Sequence, residues 1–246
     1  MINLNGHSGC SVILYDDNVV KKTSPTLEYN SRLKTQMEKQ QSFSHHILKS
    51  PQIYDWGYNE YGMFYFDMEY IHGVSFSVYF QRERLHRCME IIDLVTSFQT
   101  YTKQVDIKQQ VIDKIHNIEL DKDTKEILTS NDWLINTGYG HGDLTFENII
   151  IGKNEIYLID FLDSFIDGSL VDESKLLQDA FCYWSFKDQT LTPKRKLLSV
   201  SERFNSKQHY CMLLLHLARI IPYSNTNKKE KILCMIESVK SQINQF

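Results

Sequence analysis

The residues best suited to chemistry lie in one short stretch, His141-Gly142-Asp143-Leu144-Thr145-Phe146-Glu147-Asn148, followed by Leu158-Ile159-Asp160-Phe161. Asp143 has the side chain to accept a hydrogen bond, and then the proton, from an attacking hydroxyl. Asn148 offers a neutral oxygen and Asp160 a carboxylate, and both are hard donors of the kind that hold Mg²⁺. Phosphoryl transfer asks for little covalent help from a protein. It needs an oriented hydroxyl and cations that neutralise charge on the phosphates. A base, an amide and a second acid meet that need. Taken singly, each has an ordinary use: Asp143 and Asn148 would cap turns and Asp160 would end a strand. The joint spacing is far rarer than its parts.

The elements around these residues must bring them together. Two apolar runs, Asn148 to Ile151 and Ile156 to Phe161, flank Gly152-Lys153-Asn154 and predict a hairpin that does so. Upstream, Ser11 to Tyr15 and Val19 to Thr23 flank Asp16-Asp17-Asn18 as a second hairpin. Tyr29, Leu33, Met37, Ile47 and Leu48 fall near one side of a helical wheel. Gln52 to Ile71 returns to strand character around a turn at Tyr58 to Gly62. From Ser75 to about Ser130 there is no proline or glycine, and the spacing predicts a largely helical segment. Helices are also predicted over 170–186, over 207–221 and from Lys228. The order is a small β-rich part followed by a mostly helical one, an α+β fold.

The form HGDxxxxN followed by IDF resembles the catalytic and metal-binding loops of the protein-kinase superfamily, most of all its aminoglycoside phosphotransferase and choline kinase branch. That resemblance implies a protein-kinase-like two-lobed fold. Residues 1–73 would be the nucleotide-binding lobe and hinge, with a small antiparallel sheet and one helix. Residues 74–246 would be the larger, mainly α-helical lobe that carries catalysis and substrate. It also implies ATP and Mg²⁺ as cofactors, Asp143 as the catalytic base, and Asn148 and Asp160 as metal ligands.

The same resemblance makes demands on the first lobe. Gly6, Ser8 and Gly9 would cover the phosphates, since glycine lets backbone approach them closely. Val19-Val20-Lys21-Lys22 resembles the strand whose lysine contacts phosphate. Alternation puts Lys22 on the same face as Val20 and favours it, with Lys21 as the alternative. Glu38, sixteen positions later, would hold that lysine, although about 100° on the wheel separates it from Met37 and a solvated role is open to it. Met68-Glu69-Tyr70-Ile71 resembles a hinge, with backbone near Glu69 and Ile71 pairing with adenine and Met68 bordering the base.

Two departures bear on the branch. Position 142 is glycine where regulated protein kinases carry an arginine that answers a phosphorylated loop, and no Ala-Pro-Glu follows Asp160. A small-molecule hydroxyl is therefore the expected acceptor: a sugar, an amino sugar or an amino alcohol such as choline. Leu170 to Asp179 resembles kinases found near surface-polysaccharide genes, which makes a glycan precursor one such acceptor. A protein acceptor and a pseudokinase are the rival readings. Asp160, Asp163, Asp167, Asp172, Glu173 and Asp179 against the single Lys175 would favour a cationic acceptor. Each also has a structural use, with Asp172 bracing the catalytic loop or capping a helix. Phe181, Tyr183, Trp184 and Phe186 read as core before they read as a cage for a quaternary ammonium. His45-His46 lacks metal-ligand spacing, and Lys194-Arg195-Lys196 reads as a solvated loop.

Composition excludes other classes. A net charge of -4 gives no general attraction to nucleic acid or to an anionic membrane. The five cysteines, Cys10, Cys88, Cys182, Cys211 and Cys234, are scattered and lack a CxxC pair, which fits a reducing cytoplasm. The stretch Met1 to Gly9 has no signal pattern, and the longest apolar run, Cys211 to Ile221, is broken by His216 and Arg219. A cytoplasmic monomer or homodimer without a membrane span is expected.

Overall fold

The computed structural model describes residues 1–4, 9–15, 18–186 and 192–246. Gly6 and Ser8 lie outside the described residues. The chain forms two compact units, Met1–Arg82 with Phe146–Ser164, and Glu83–Thr145 with Phe165–Phe246.

The first unit opens with strands β1 (Ile2–Asn3), β2 (Ser11–Leu14) and β3 (Val19–Thr23), then helix α1 (Asn30–Ser42). It continues with β4 (Leu48–Lys49), β5 (Ile53–Tyr58), β6 (Phe64–Glu69), β7 (Val74–Ser75) and helix α2 (Phe76–Arg82). An antiparallel sheet of order β1-β2-β3-β6-β5 forms its floor. Alternation decides what that sheet buries: Val20 and Lys22 from β3, Phe64 and Phe66 from β6. Leu33 and Met37 of α1 complete a core with Cys10, Phe64 and Phe66.

Helix α1 ends sooner than the sequence predicted. His45 Nδ1 accepts hydrogen bonds from the N–H groups of Ile47 and Leu48, at 3.2 and 3.0 Å, and turns the chain into β4. Ile47 is consequently exposed, and Leu48 is buried as a strand residue rather than a helical one. His45 and His46 sit in this turn, not on a helix.

The second unit begins with α3 (Leu85–Ser97), β8 (Lys103–Asp106), α4 (Lys108–Ile115), α5 (Lys122–Ser130) and β9 (Leu134–Thr137). The segment predicted as largely helical thus contains a strand. Lys103 to Asp106 pairs antiparallel with β9, and Thr137 Oγ1 donates to the Lys103 carbonyl at 3.0 Å. Pairing with a partner distant in sequence overrode a helical composition.

The chain then returns to the first unit with a 3₁₀ turn, Phe146–Asn148, and the hairpin β10 (Ile149–Ile151) and β11 (Ile156–Leu158). The predicted turn closes it, with the Gly152 N–H donating to the Glu155 carbonyl at 2.9 Å. This hairpin pairs with β7 and β4 in a sheet of order β4-β11-β10-β7. Phe146 anchors its entry against Phe76 and Phe80, with ring centroids 4.8 and 5.1 Å away.

The remaining helices belong to the second unit: α6 (Ser169–Cys182), α7 (Lys194–Arg203), α8 (Lys207–Ile220) and α9 (Thr226–Ile243). Tyr210 to Ala218 of α8 are all buried, the pattern of a central helix, and α4, α5, α6 and α9 pack against it. Ser206 caps α8, and Asn225 caps α9, each accepting from a first-turn N–H, a device worth about 1 kcal/mol. Lys194-Arg195-Lys196 starts α7 rather than forming a loop, with Lys196 Nζ donating to the Glu83 carbonyl at 3.0 Å. Among the described residues no helix is long and apolar enough to cross a membrane. The fold is α+β, with a sheet-rich first unit and a mainly helical second one.

Candidate active site

Within the first unit, Lys22 is the central residue of the candidate site. It projects from the inner face of β3 and is only 4% exposed. Its ammonium forms an ion pair with Asp160. Burial favours the neutral amine, but the Asp160 charge and hydrogen bond outweigh it and hold the pKa above the usual lysine value. Lys22 therefore stays charged at neutral pH. Lys21 faces the other way, 3.2 Å from Asp67 and over the Tyr65 ring. Strand alternation separated the two lysines as the sequence predicted.

Asp160 follows β11 by two residues and has φ +61°, a left-handed conformation that costs a non-glycine residue about 1–3 kcal/mol. Its neighbours hold it there. The Ile159 N–H donates to the Asn148 carbonyl at 3.0 Å, and Phe161 is buried against the Phe43 ring. The same bond ties Asn148, at the end of the 3₁₀ turn, to the segment that carries Asp160. Glu147 beside it accepts from the Ser77 hydroxyl. The hairpin thus joins Asn148, Asp160 and Lys22 in one unit.

Glu38 does not join them. The inward face of α1 is formed by Leu33, Gln36, Met37 and Gln40, so Glu38 points to solvent, 3.9 Å from Lys34. Lys22 has Asp160 in its place. One polar contact from α1 to the Asp160 segment comes from Lys39, which donates to the Leu162 carbonyl at 3.0 Å. Nothing in the sequence marks Lys39, because only the phase of the helix, one residue beyond Glu38, turns it inward.

At the end of β6, the Glu69 N–H donates to the Gln52 carbonyl, and the Tyr70 N–H to the Asn18 carbonyl, both at 2.9 Å. Met68 packs against the core, with its sulfur accepting from Gln40. Ile71 follows the strand end. Gly9 has φ +77°, so the backbone at the end of the expected phosphate loop takes a form that glycine favours.

The second unit holds Asp143, half-buried in the turn 140–145. That turn hangs on α6. Asp172 is fully buried, and its carboxylate accepts from the His141 N–H at 2.6 Å and the Gly142 N–H at 2.7 Å. Gln99 donates to the same carboxylate at 3.1 Å. Gly142 has φ +88°, which explains glycine rather than arginine at this position. One turn along α6, Lys175 reaches Asp143 Oδ1 at 3.0 Å. Asp172 bracing the loop was legible in the sequence. Composition does not mark Lys175 as a partner of Asp143; the signal that could find it is that Asp172 and Lys175, three apart, share one helix face.

Gly168 makes this placement possible. A Cβ there would sit 2.4 Å from the Asn136 carbonyl oxygen, so only glycine lets α6 start so close to β9. Beneath the helix, buried His216 contacts Ser174 at 3.2 Å. Its imidazole is pushed well below the usual histidine range by burial and by the Lys175 and Arg219 charges.

The sheet order, the buried strand lysine and the hairpin that carries Asp160 belong to a protein-kinase-like fold. Solved structures with this fold match nearly the whole chain. A thermostable mutant of aminoglycoside phosphotransferase APH(4)-Ia, in ternary complex with AMP-PNP and hygromycin B, is similar with a TM-score of 0.71 at 12% identity. The match covers 98% of this chain and 93% of that one. The GDP and kanamycin complex of APH(2")-IIia gives a TM-score of 0.71 at 11% identity, covering 100% and 93%. The GDP complex of wild-type aminoglycoside 2'-phosphotransferase-IIIa gives 0.64 at 12%, covering 99% and 92%. At these identities the likeness is one of fold. No family model and no curated protein matches the chain.

Proposed function

We propose that the chain is a phosphotransferase that moves the γ-phosphate of ATP, with Mg²⁺, to a hydroxyl of a small molecule. The observation that carries this reading is the buried Lys22 ammonium held on the carboxylate of Asp160, itself in a strained backbone conformation beside Asn148. Strain of this kind clusters at functional sites.

In this reading Lys22 contacts the α- and β-phosphates. The backbone of Glu69 and Ile71, with Met68 nearby, receives the base, and Gly6, Ser8 and Gly9 cover the phosphates. Glu38 has no part. The donor set suits Mg²⁺, because Asn148 and Asp160 offer an amide and a carboxylate oxygen. When bound, the metal neutralises charge on the phosphates. Asp143 orients the acceptor hydroxyl and takes its proton as the oxygen attacks phosphorus. In this reading the first unit, Met1–Arg82 with Phe146–Ser164, holds the nucleotide, and the second, Glu83–Thr145 with Phe165–Phe246, carries Asp143 and the acceptor, so the 1–73 and 74–246 division expected from the sequence shifts to include the hairpin in the nucleotide part. The intact Asp143 argues for a transferase over a nucleotide-binding regulator, since binding needs no base. Support from the comparisons lies in the nucleotides and aminoglycosides held by proteins of the same fold.

The test is transfer of label from γ-labelled ATP into the metabolite fraction of a cell extract. Asp143→Ala should lower transfer by about 100-fold or more while leaving nucleotide-dependent thermal stabilisation intact. Asp160→Ala should lose the Mg²⁺-dependent part of that stabilisation as well. Wild-type rates in both variants would remove the assigned roles, and label in the protein fraction would favour a protein acceptor.

A further inference from the structure

The acidic run from Asp160 to Asp179 points, as sequence, to a cationic acceptor. In the structure most of those acids already have partners. Asp160 takes Lys22 in the first unit, where Asp163 is exposed. In the second unit Asp172 is fully buried on the His141 and Gly142 N–H groups. Asp179, also fully buried, accepts from the Ser185 N–H at 2.8 Å. Glu173 pairs with His209 at 2.8 Å. Asp167 is half-buried, and its carbonyl accepts from the Gly138 N–H at 3.1 Å.

The single cation of the run stands where it matters most. Lys175 Nζ lies 3.0 Å from Asp143 Oδ1, and its side chain is only 12% exposed. With Asp172 three residues before it on the same face of α6, one helix fixes both the backbone of the catalytic turn and the carboxylate that it presents. His216 nearby is held neutral and adds no charge. Asp143 therefore meets its acceptor beside an ammonium, with its own charge already offset.

We propose that Lys175 is a specificity-determining residue, and that the acceptor is a neutral or anionic polyol or sugar with no ammonium group next to the hydroxyl it presents to Asp143. This rests on the phosphotransferase reading and departs from the aminoglycosides bound by proteins of the same fold. An amino group on the carbon beside the reacting hydroxyl would come within a few ångströms of Lys175. Like charges at that range repel, and the carboxylate that would attract the newcomer is taken. An uncharged hydroxyl neighbour meets no such penalty. A carboxylate or phosphate on the acceptor would be attracted.

The experiment uses the full chain with ATP and Mg²⁺, and ADP release is read over matched acceptors: glucose and glucosamine, galactose and galactosamine, glycerol and serinol, 3,3-dimethylbutanol and choline, with kanamycin as a polycation. The expected result is a kcat/KM at least tenfold higher for the uncharged member of a pair. Lys175→Met should shrink that ratio several-fold, and Lys175→Arg should keep it. A merely structural lysine would lower both members together and leave the ratio unchanged, and that outcome overturns the proposal. Turnover of the amino compounds or kanamycin in preference to the neutral ones also overturns it, while leaving the transferase reading in place. No ADP release with any acceptor, together with no nucleotide-dependent thermal stabilisation, would overturn both.

Discussion

Asp172 offers the sharpest quantitative test of how the turn that carries Asp143 is held. Its Oδ2 accepts from the His141 N–H and from Gln99, and its Oδ1 accepts from the Gly142 N–H. In Asp172→Asn, the amide oxygen can keep the Oδ2 contacts, but the amide nitrogen then faces the Gly142 N–H. One buried donor loses its acceptor and one charge-assisted bond is lost, together about 2–4 kcal/mol. Asp172→Ala strips both backbone donors and should cost about 3–6 kcal/mol, a large share of the ~5–15 kcal/mol that holds a typical protein folded. The assay is urea unfolding followed by emission of Trp133, which is 1% exposed, in a Trp56→Phe, Trp184→Phe background. With a slope of about 2 kcal/mol per molar urea, the midpoint should fall by about 1–2 M in Asp172→Asn and further in Asp172→Ala. Transfer activity should fall in the folded Asn variant as well, because the turn that carries Asp143 is no longer pinned. A midpoint within about 0.3 M of wild type in the Asn variant would refute the reasoning.

Two further outcomes are expected. Gly142→Ala places a Cβ at φ +88° and should cost about 1–2 kcal/mol, visible as a melting temperature lower by several degrees; an unchanged melting temperature would show that the turn relaxes freely. Buried His216 is held neutral, so its folded pKa lies below its unfolded value of 6.5. Its contribution is fully present above pH 6.5 and is lost as pH falls, because only the unfolded chain takes up the proton. Stability should decline below that pH by up to about 1.4 kcal/mol per unit for this site, and a urea-midpoint profile of His216→Gln should be flatter there than that of wild type.

Much of the geometry of the candidate site is legible in residue order. Two-residue alternation chose Lys22 over Lys21, because a strand offers only two faces and Val20 marks the inner one. The Asn148 to Asp160 hairpin was legible because its turn is three polar residues between β-branched runs. Glu38 faces solvent instead of Lys22, because helical phase depends on where the helix starts and tilts, and the sequence does not mark the residue by which α1 rests on the sheet. The early end of α1 depends on His45, whose ring nitrogen supplies a local alternative to helical hydrogen bonds. Strand β8 is not legible in its own segment because its stability comes from β9, about 30 residues later, and not from its own composition. Lys175 is one charge against six in composition, and its position three residues from Asp172 is the informative property.

The return of Phe146–Ser164 to the first unit has a consequence for how the protein is made. A nascent chain that has emerged only as far as Arg82 possesses Lys22 but lacks Asp160, 138 residues further on. Until that carboxylate leaves the ribosome, the lysine cannot be buried as a charged group without great cost. The first third of the polypeptide must therefore wait, solvated or chaperoned, for most of translation. A tryptic or genetic cut near residue 83 would yield no self-sufficient fragment.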